Sequence, residues 1–229
     1  MAEFYFALLA FYLGHSIPPR RPVRAYIVSV IGERGYRIWY SILSLILLGW
    51  LIVAAIHAPR VALWGVQPWM AWLALIAMAF VSVLAVPGFA QANPLSIGLS
   101  GGTFDPKSPG VVAITRHPVL WCFGLWALCH IPVNGQEVWV VLFGLLGLFA
   151  FAGMAFIDAK RKRDLGPEAW KELARGTSVI PFAAIVSGRA RFPTDRKTLM
   201  LMVLGGWLYV GILFWLHETL IGVAPLDRL

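Results

Sequence analysis

The chain has 229 residues, of which 59% are hydrophobic and only 13% charged, with a mean hydropathy of +0.76. A soluble domain carries about 25% charge, so this composition excludes one and points to a membrane protein whose charges fall in short blocks between uncharged runs. The net charge of +8 follows those blocks and needs no nucleic acid to explain it.

The uncharged runs are the expected spans, each near the roughly 18 residues that a crossing helix needs. In chain order they are a short one at 4–17, then 38–59, about 66–86, 117–136, 138–157 and 198–217. The expected fold class is therefore all-α: one domain over 1–229, a polytopic bundle of six transmembrane helices. The first run is read as a retained helix, because its start carries no Lys or Arg and GHSIPPRRP is no cleavage site. Between the third and fourth spans, PGFAQANPLSIGLSGGTFDPKSPG reads as a long loop. Its GLSGGT has a phosphate loop's glycines but lacks the Lys-Ser/Thr of one. In the long polar segment 158–197, Gly166-Pro167 before EAWKELARG predicts a short interfacial helix with Leu165, Trp170, Leu173 and Ala174 as its apolar stripe.

Basic residues bias loops toward the cytoplasm. With the N-terminus outside, segments 18–37, 87–116 and 158–197 lie inside and hold 5, 2 and 10 of the 19 Lys and Arg, leaving only Arg60 and Arg228 elsewhere. Both termini are then expected in the periplasm, and the basic skirt faces anionic lipid. The run Lys160 to Arg163 reads as a stop-transfer block. The two cysteines, Cys122 and Cys129, share a helical face about 10 Å apart along the axis, too far to bridge.

An ionisable residue within a span is a functional-site hypothesis, because hydrocarbon penalises it without a partner. His57 and His217 fall at outer helix ends, where an interfacial histidine needs no special role. His15 follows Gly14, a residue that lets a planar group or another helix come close. His117 opens TRHPVLWCFGLWALCH and His130 closes it, about 20 Å further along the helix axis and roughly 140° round it. They cannot hold one metal from one helix, so an axial pair needs a second helix, with His15 the donor. Depth pairs His15 with His117. Trp121, Phe123 and Trp126 offer walls for a porphyrin, and Arg20, Arg21 and Arg116 could meet its propionates; neutral imidazole is an ordinary haem ligand.

The stretches GHSIP at 14–18, GERGYRIWYSILSL at 32–45, NPLSIG at 93–98, TRHPVLWCFGLWALCH, and DAKRKRDLGPEAWKELARGTSVIPFAAI at 158–185 resemble, in order and nearly end to end, the NnrU family. The resemblance implies a multi-pass protein of the bacterial inner membrane linked to nitrite and nitric oxide metabolism, or a haem-dependent activity like that of the plant 15-cis-zeta-carotene isomerase, which is similar to the family. That isomerase is a haem b protein, so the resemblance implies haem b here. It implies His15 and His130 as iron ligands, with His117 a further histidine of the site, and a redox partner or an apolar small molecule beside the lipid bilayer. Two other readings stand beside it. RHPVLWCFG and DLGPEAWKEL are similar to a membrane methyltransferase of the isoprenylcysteine type, in which Arg116 and His117 would hold the carboxylate of S-adenosylmethionine. A non-catalytic accessory protein of a reductase would use the basic face for docking.

Overall fold

The computed structural model describes the backbone of residues 1–229 and every side chain except that of Arg228. The elements are helical, and no strand forms among the described residues. Four helices are long and apolar enough to cross a membrane: α2 (Arg21–His57), α3 (Pro68–Ala90), α5 (Glu137–Leu165) and the last, Arg196–Ile221. The 17-residue α4 (Pro118–Asn134) and the 15-residue α1 (Ala2–Ser16) are shorter apolar helices at the remaining two expected spans. Short helices follow α5: α6 (Pro167–Ala174) and α7 (Ala183–Val186). The last long helix is α8 (Arg196–Gly211), continued through a π-turn at Ile212–Leu216 into α9 (His217–Ile221).

The chain divides into two compact units. The first comprises Met1–Trp64 and Gln136–Leu142. Here α1 packs along α2, and a Cβ at Gly14 would strike Leu47 of α2, so the glycine beside His15 serves the approach of another helix. The sequence reading placed 18–37 in a polar connection, but helix begins at Arg21. Pro22 suits a first helical turn, and only Gly32, at φ 75° and ψ 167°, interrupts the helix. Arg24 and Glu33 close an ion pair across that kink at 2.6 Å. Residues 136–142 join through Glu137 N–H, which donates to the Val61 carbonyl at 2.8 Å.

The second unit comprises Gly65–Gly135 and Phe143–Leu229. Helix α3 lies against both α4 and α8, with Val81, Leu84, Val111, Val112, Ile114 and Cys122 as a buried core. Gly205 of α8 rests on the Ser82 carbonyl and lies where a Cβ would be 2.9 Å from Val83 Cα, so only glycine permits this crossing. Gly124 of α4 likewise receives the Phe151 ring of α5. Helix α3 runs four residues beyond its expected end, through Pro87 to Ala90. The loop after it is pinned by Gln91, whose Oε1 accepts Val111 N–H at 2.8 Å and whose Nε2 donates to Thr198 Oγ1 at 2.6 Å. Helix α6 starts at Pro167 as expected, and Ala174 is buried while Lys171 and Glu172 face outward. GLSGGT is surface loop with no regular structure.

Candidate functional site

Helix α4 starts where Pro118 supplies a preset φ at the first helical position, and it ends where Gly135 takes the left-handed conformation at φ 60°. Those two stops put His117 at one end and His130 at the other, and the two histidines have opposite chemical surroundings.

His117 is fully buried, and both its ring nitrogens are engaged. Ser96 Oγ lies 2.7 Å from Nδ1. Nε2 lies 3.0 Å from Asp158 Oδ1, and among the described residues neither of these two buried atoms has another partner. All are satisfied at once when Nε2–H donates to the carboxylate and the Ser96 hydroxyl donates to Nδ1. The second carboxylate oxygen takes Arg116 Nη1 at 2.5 Å. Arg116 also donates from Nε to Thr177 Oγ1 at 2.9 Å, and its guanidinium lies 4.9 Å from the Trp170 ring centre.

Segment 177–182 is sewn onto the same place. Arg116 N–H donates to the Ser178 carbonyl at 2.7 Å, and Phe182 N–H to that of Ile114 at 2.7 Å. The Thr115 hydroxyl and Trp121 Nε1 donate to the Val179 carbonyl at 2.8 and 2.7 Å. Phe182 holds φ 64°, a conformation that bulky residues rarely adopt. Arg116, Asp158, His117 and Ser96 thus form a closed polar knot that joins the start of α4, the last third of α5 and the 93–98 loop. The carboxylate that the methyltransferase reading assigns to a cofactor is here supplied by Asp158 of the chain itself.

His130 is partly buried in aromatic surroundings. Its Nδ1 lies 2.6 Å from the Trp126 carbonyl one turn back, so the neutral ring carries its proton on Nδ1 and its lone pair on Nε2. Trp126 and Phe143 stand 5.5 and 5.2 Å from it, centre to centre. His217 in α9 has its own Nδ1 held by the Val223 carbonyl at 2.7 Å.

In the other unit His15 has the same local geometry: Nδ1 lies 2.8 Å from the Phe11 carbonyl, with Phe11 and Tyr40 rings at 4.1 and 6.0 Å. His57 makes the same bond to Val53 at 2.9 Å but is exposed. Arg20 and Arg21 lie on the surface at the start of α2. Of the expected porphyrin walls, only Trp126 borders a histidine. Trp121 packs on Phe151 at 5.2 Å, and Phe123 is half-exposed. Among the described residues no three His, Cys, Asp or Glu side chains cluster to hold a metal ion by themselves.

Sequence reasoning did not single out Ser96 or Asp158 as partners of His117. A lone Asp at the end of an apolar run followed by cations was the available signal for the second.

The family model described as NnrU protein matches residues 3–225. The chloroplastic 15-cis-zeta-carotene isomerase of Zea mays is 30% identical over 175 residues, covering 73% of this chain and 46% of the maize protein. The chain therefore spans about half the length of the curated relative it matches. No solved structure matches the chain.

Proposed function

Because the chain belongs to the NnrU family, we propose that it is a membrane-embedded haem b protein, with His15 and His130 as the iron ligands, that isomerises a cis double bond of an apolar polyene. The observation that carries the ligand choice is the state of the imidazoles. His15 and His130 each commit Nδ1–H to the carbonyl one turn earlier, at 2.8 and 2.6 Å, as metal-bound histidines commonly do to orient the ring and raise its basicity. His117 spends both nitrogens on Ser96 and Asp158, so it organises the fold beside the site. The residues fit a haem in kind: neutral imidazoles on apolar helices, each bordered by aromatic rings, are the donor type of a haem.

A bound haem would supply a one-electron or Lewis-acid centre to a conjugated double bond. The chain's own part is to fix each imidazole through the carbonyl one turn earlier. The isomerisation is preferred to a nitrogen-oxide role because the curated relative is named for that activity. We place the protein in the bacterial inner membrane, where its long apolar helices can span.

Oxidised and dithionite-reduced visible spectra of protein expressed with ample haem test the reading. The wild type and His117→Gln should show a Soret band that shifts on reduction, and His15→Ala and His130→Ala should lose most of it. A wild type without a Soret band at full haem supply overturns the haem assignment. A band that survives His130→Ala and vanishes in a folded His117→Gln reverses the ligand choice.

A further inference from the structure

From Gly176 to Gly188 the chain carries no charge: GTSVIPFAAIVSG is bounded by Arg175 on one side and by Arg189 and Arg191 on the other. An apolar run of that length falls short of the roughly 18 residues that a crossing helix needs, so it cannot span and must return to the side it left. Its two ends are clasped together. Arg189 Nη1 donates to the Arg175 and Thr177 carbonyls at 3.3 and 3.1 Å.

Inside the clasp the polar backbone is spent on the chain itself. Every backbone N–H from Phe182 to Ala190 has an acceptor within the protein: Phe182 reaches the Ile114 carbonyl, Ala184 the Ser178 hydroxyl, and the others carbonyls between Ile180 and Ile185. The Ser178 carbonyl takes Arg116 N–H, that of Val179 takes the Thr115 hydroxyl and Trp121 Nε1, and that of Ile180 takes the Ser178 hydroxyl. The side chains have the opposite character. Val186 is 86% and Ile180 66% exposed, and Val179 and Phe182 are also open. A segment with its backbone satisfied internally and its apolar side chains outward is suited to hydrocarbon and not to water.

The segment also lies alongside a helix of spanning length and not beyond its end. The Phe182 ring stands 6.1 Å from that of Phe80, and Ile185 packs on the core that includes Val81 and Leu84. Phe80 precedes the end of α3 at Ala90 by ten residues, about 15 Å of helix. That is half of a hydrocarbon core about 30 Å thick.

We propose that residues 178–187 form a re-entrant segment that dips into one leaflet beside α3. It meets lipid acyl chains through Ile180, Phe182 and Val186, while Arg175, Arg189 and Arg191 stay at the level of the lipid phosphates. Non-helical backbone is tolerated at membrane depth only where the protein satisfies it, and that condition is met here. Cations at both ends of the run complement anionic headgroups and limit how far it sinks. A water-soluble partner docking on the same side chains would need the neighbour of Phe80 to stand in water, although Phe80 lies halfway along a spanning helix. The expectation that the whole of 158–197 lies outside the bilayer is thereby narrowed to its charged flanks.

The test is electron paramagnetic resonance on the full chain in nanodiscs of phosphatidylcholine and phosphatidylglycerol, with a nitroxide on one introduced cysteine per sample: Ile180→Cys, Val186→Cys, Lys171→Cys or Val203→Cys. All four positions are exposed, so the label should leave the gel-filtration peak of the wild type unchanged. Wild-type protein carried through the labelling supplies the background of the two buried cysteines. Collisions with oxygen, which concentrates in lipid, are compared with collisions with a water-soluble nickel chelate. Ile180→Cys and Val186→Cys should favour oxygen severalfold, as Val203→Cys on α8 should, whereas Lys171→Cys on α6 should favour nickel. Calibrated with lipids labelled along the acyl chain, the ratio at Val186→Cys should correspond to a depth below the phosphates.

Nickel collisions at Val186→Cys and Ile180→Cys equal to those at Lys171→Cys put the segment in water and overturn the proposal. A depth at the headgroups reduces it to a surface element and overturns the dip. Exclusion of both reagents shows that a protein partner or a second copy covers the patch, and overturns the lipid assignment. None of these readings depends on haem, so the outcome is separate from that of the Soret experiment.

Discussion

Replacing Asp158 by alanine tests the polar knot most directly. Its carboxylate accepts Arg116 and His117 at 2.5 and 3.0 Å, and the three side chains are 21%, 12% and 0% exposed. Removing one partner of a buried pair costs about 3–5 kcal/mol, because the remaining charge stays desolvated without compensation. The partial exposure of Asp158 puts the expectation near the lower end, about 3 kcal/mol. For a chain of this size each kcal/mol moves Tm by about 2–4 °C, so Asp158→Ala should melt about 6–12 °C below the wild type in the same detergent, followed by loss of the monodisperse gel-filtration peak after heating. Arg116→Met should be destabilised similarly. The double variant Asp158→Leu/Arg116→Met should recover part of the loss, since an apolar pair of similar volume leaves no orphan charge. If both single variants melt within about 2 °C of the wild type, water already reaches the pair and the knot does not hold the three segments together.

Other outcomes follow from individual positions. Gly205→Leu should cost about 1–3 kcal/mol by pushing its side chain into the Ser82–Val83 backbone, while Gly206→Ala, which meets open space, should leave Tm unchanged; thermal melts of the two side by side decide. Gly32→Ala adds a Cβ into open space but at φ 75°, so its loss of about 1–3 kcal/mol would come from backbone strain alone and should appear in the same melts. Asp195 caps α8 by accepting Thr198 N–H at 2.9 Å, and Asp195→Ala should cost about 1 kcal/mol. Burial pushes the Asp195 carboxyl up, but the Thr198 bonds outweigh it and hold the group below its ordinary value. The cap is therefore fully present above the usual carboxylate range and is lost as pH falls through the lowered value. The Tm difference between wild type and Asp195→Ala should accordingly be constant at neutral pH and shrink in acid.

The membrane class, the places of the helices, the helix at Pro167 and the family were legible in the residues. Each depends on local facts: uncharged runs of span length, Pro and Gly at helix ends, and motifs in a fixed order. The sequence also marked the three histidines, since imidazole in an apolar run is conspicuous whatever surrounds it. It could not say what each one does. Depth along the chain paired His15 with His117, and only the folding of Ser96 and Asp158 onto His117, from 21 and 41 residues away, brings partners to both of its ring nitrogens. His130 keeps an oriented lone pair because its partner is one helical turn away, a local bond that recurs at His15 and His57 and so distinguishes nothing until tertiary surroundings are added. The place of 178–187 beside α3 was likewise invisible, because Phe182 finds its partners at Ile114 and Phe80. Periodicity and composition are properties of one segment at a time, whereas a satisfied polar atom is a property of several segments meeting, and that meeting is what tertiary structure alone determines.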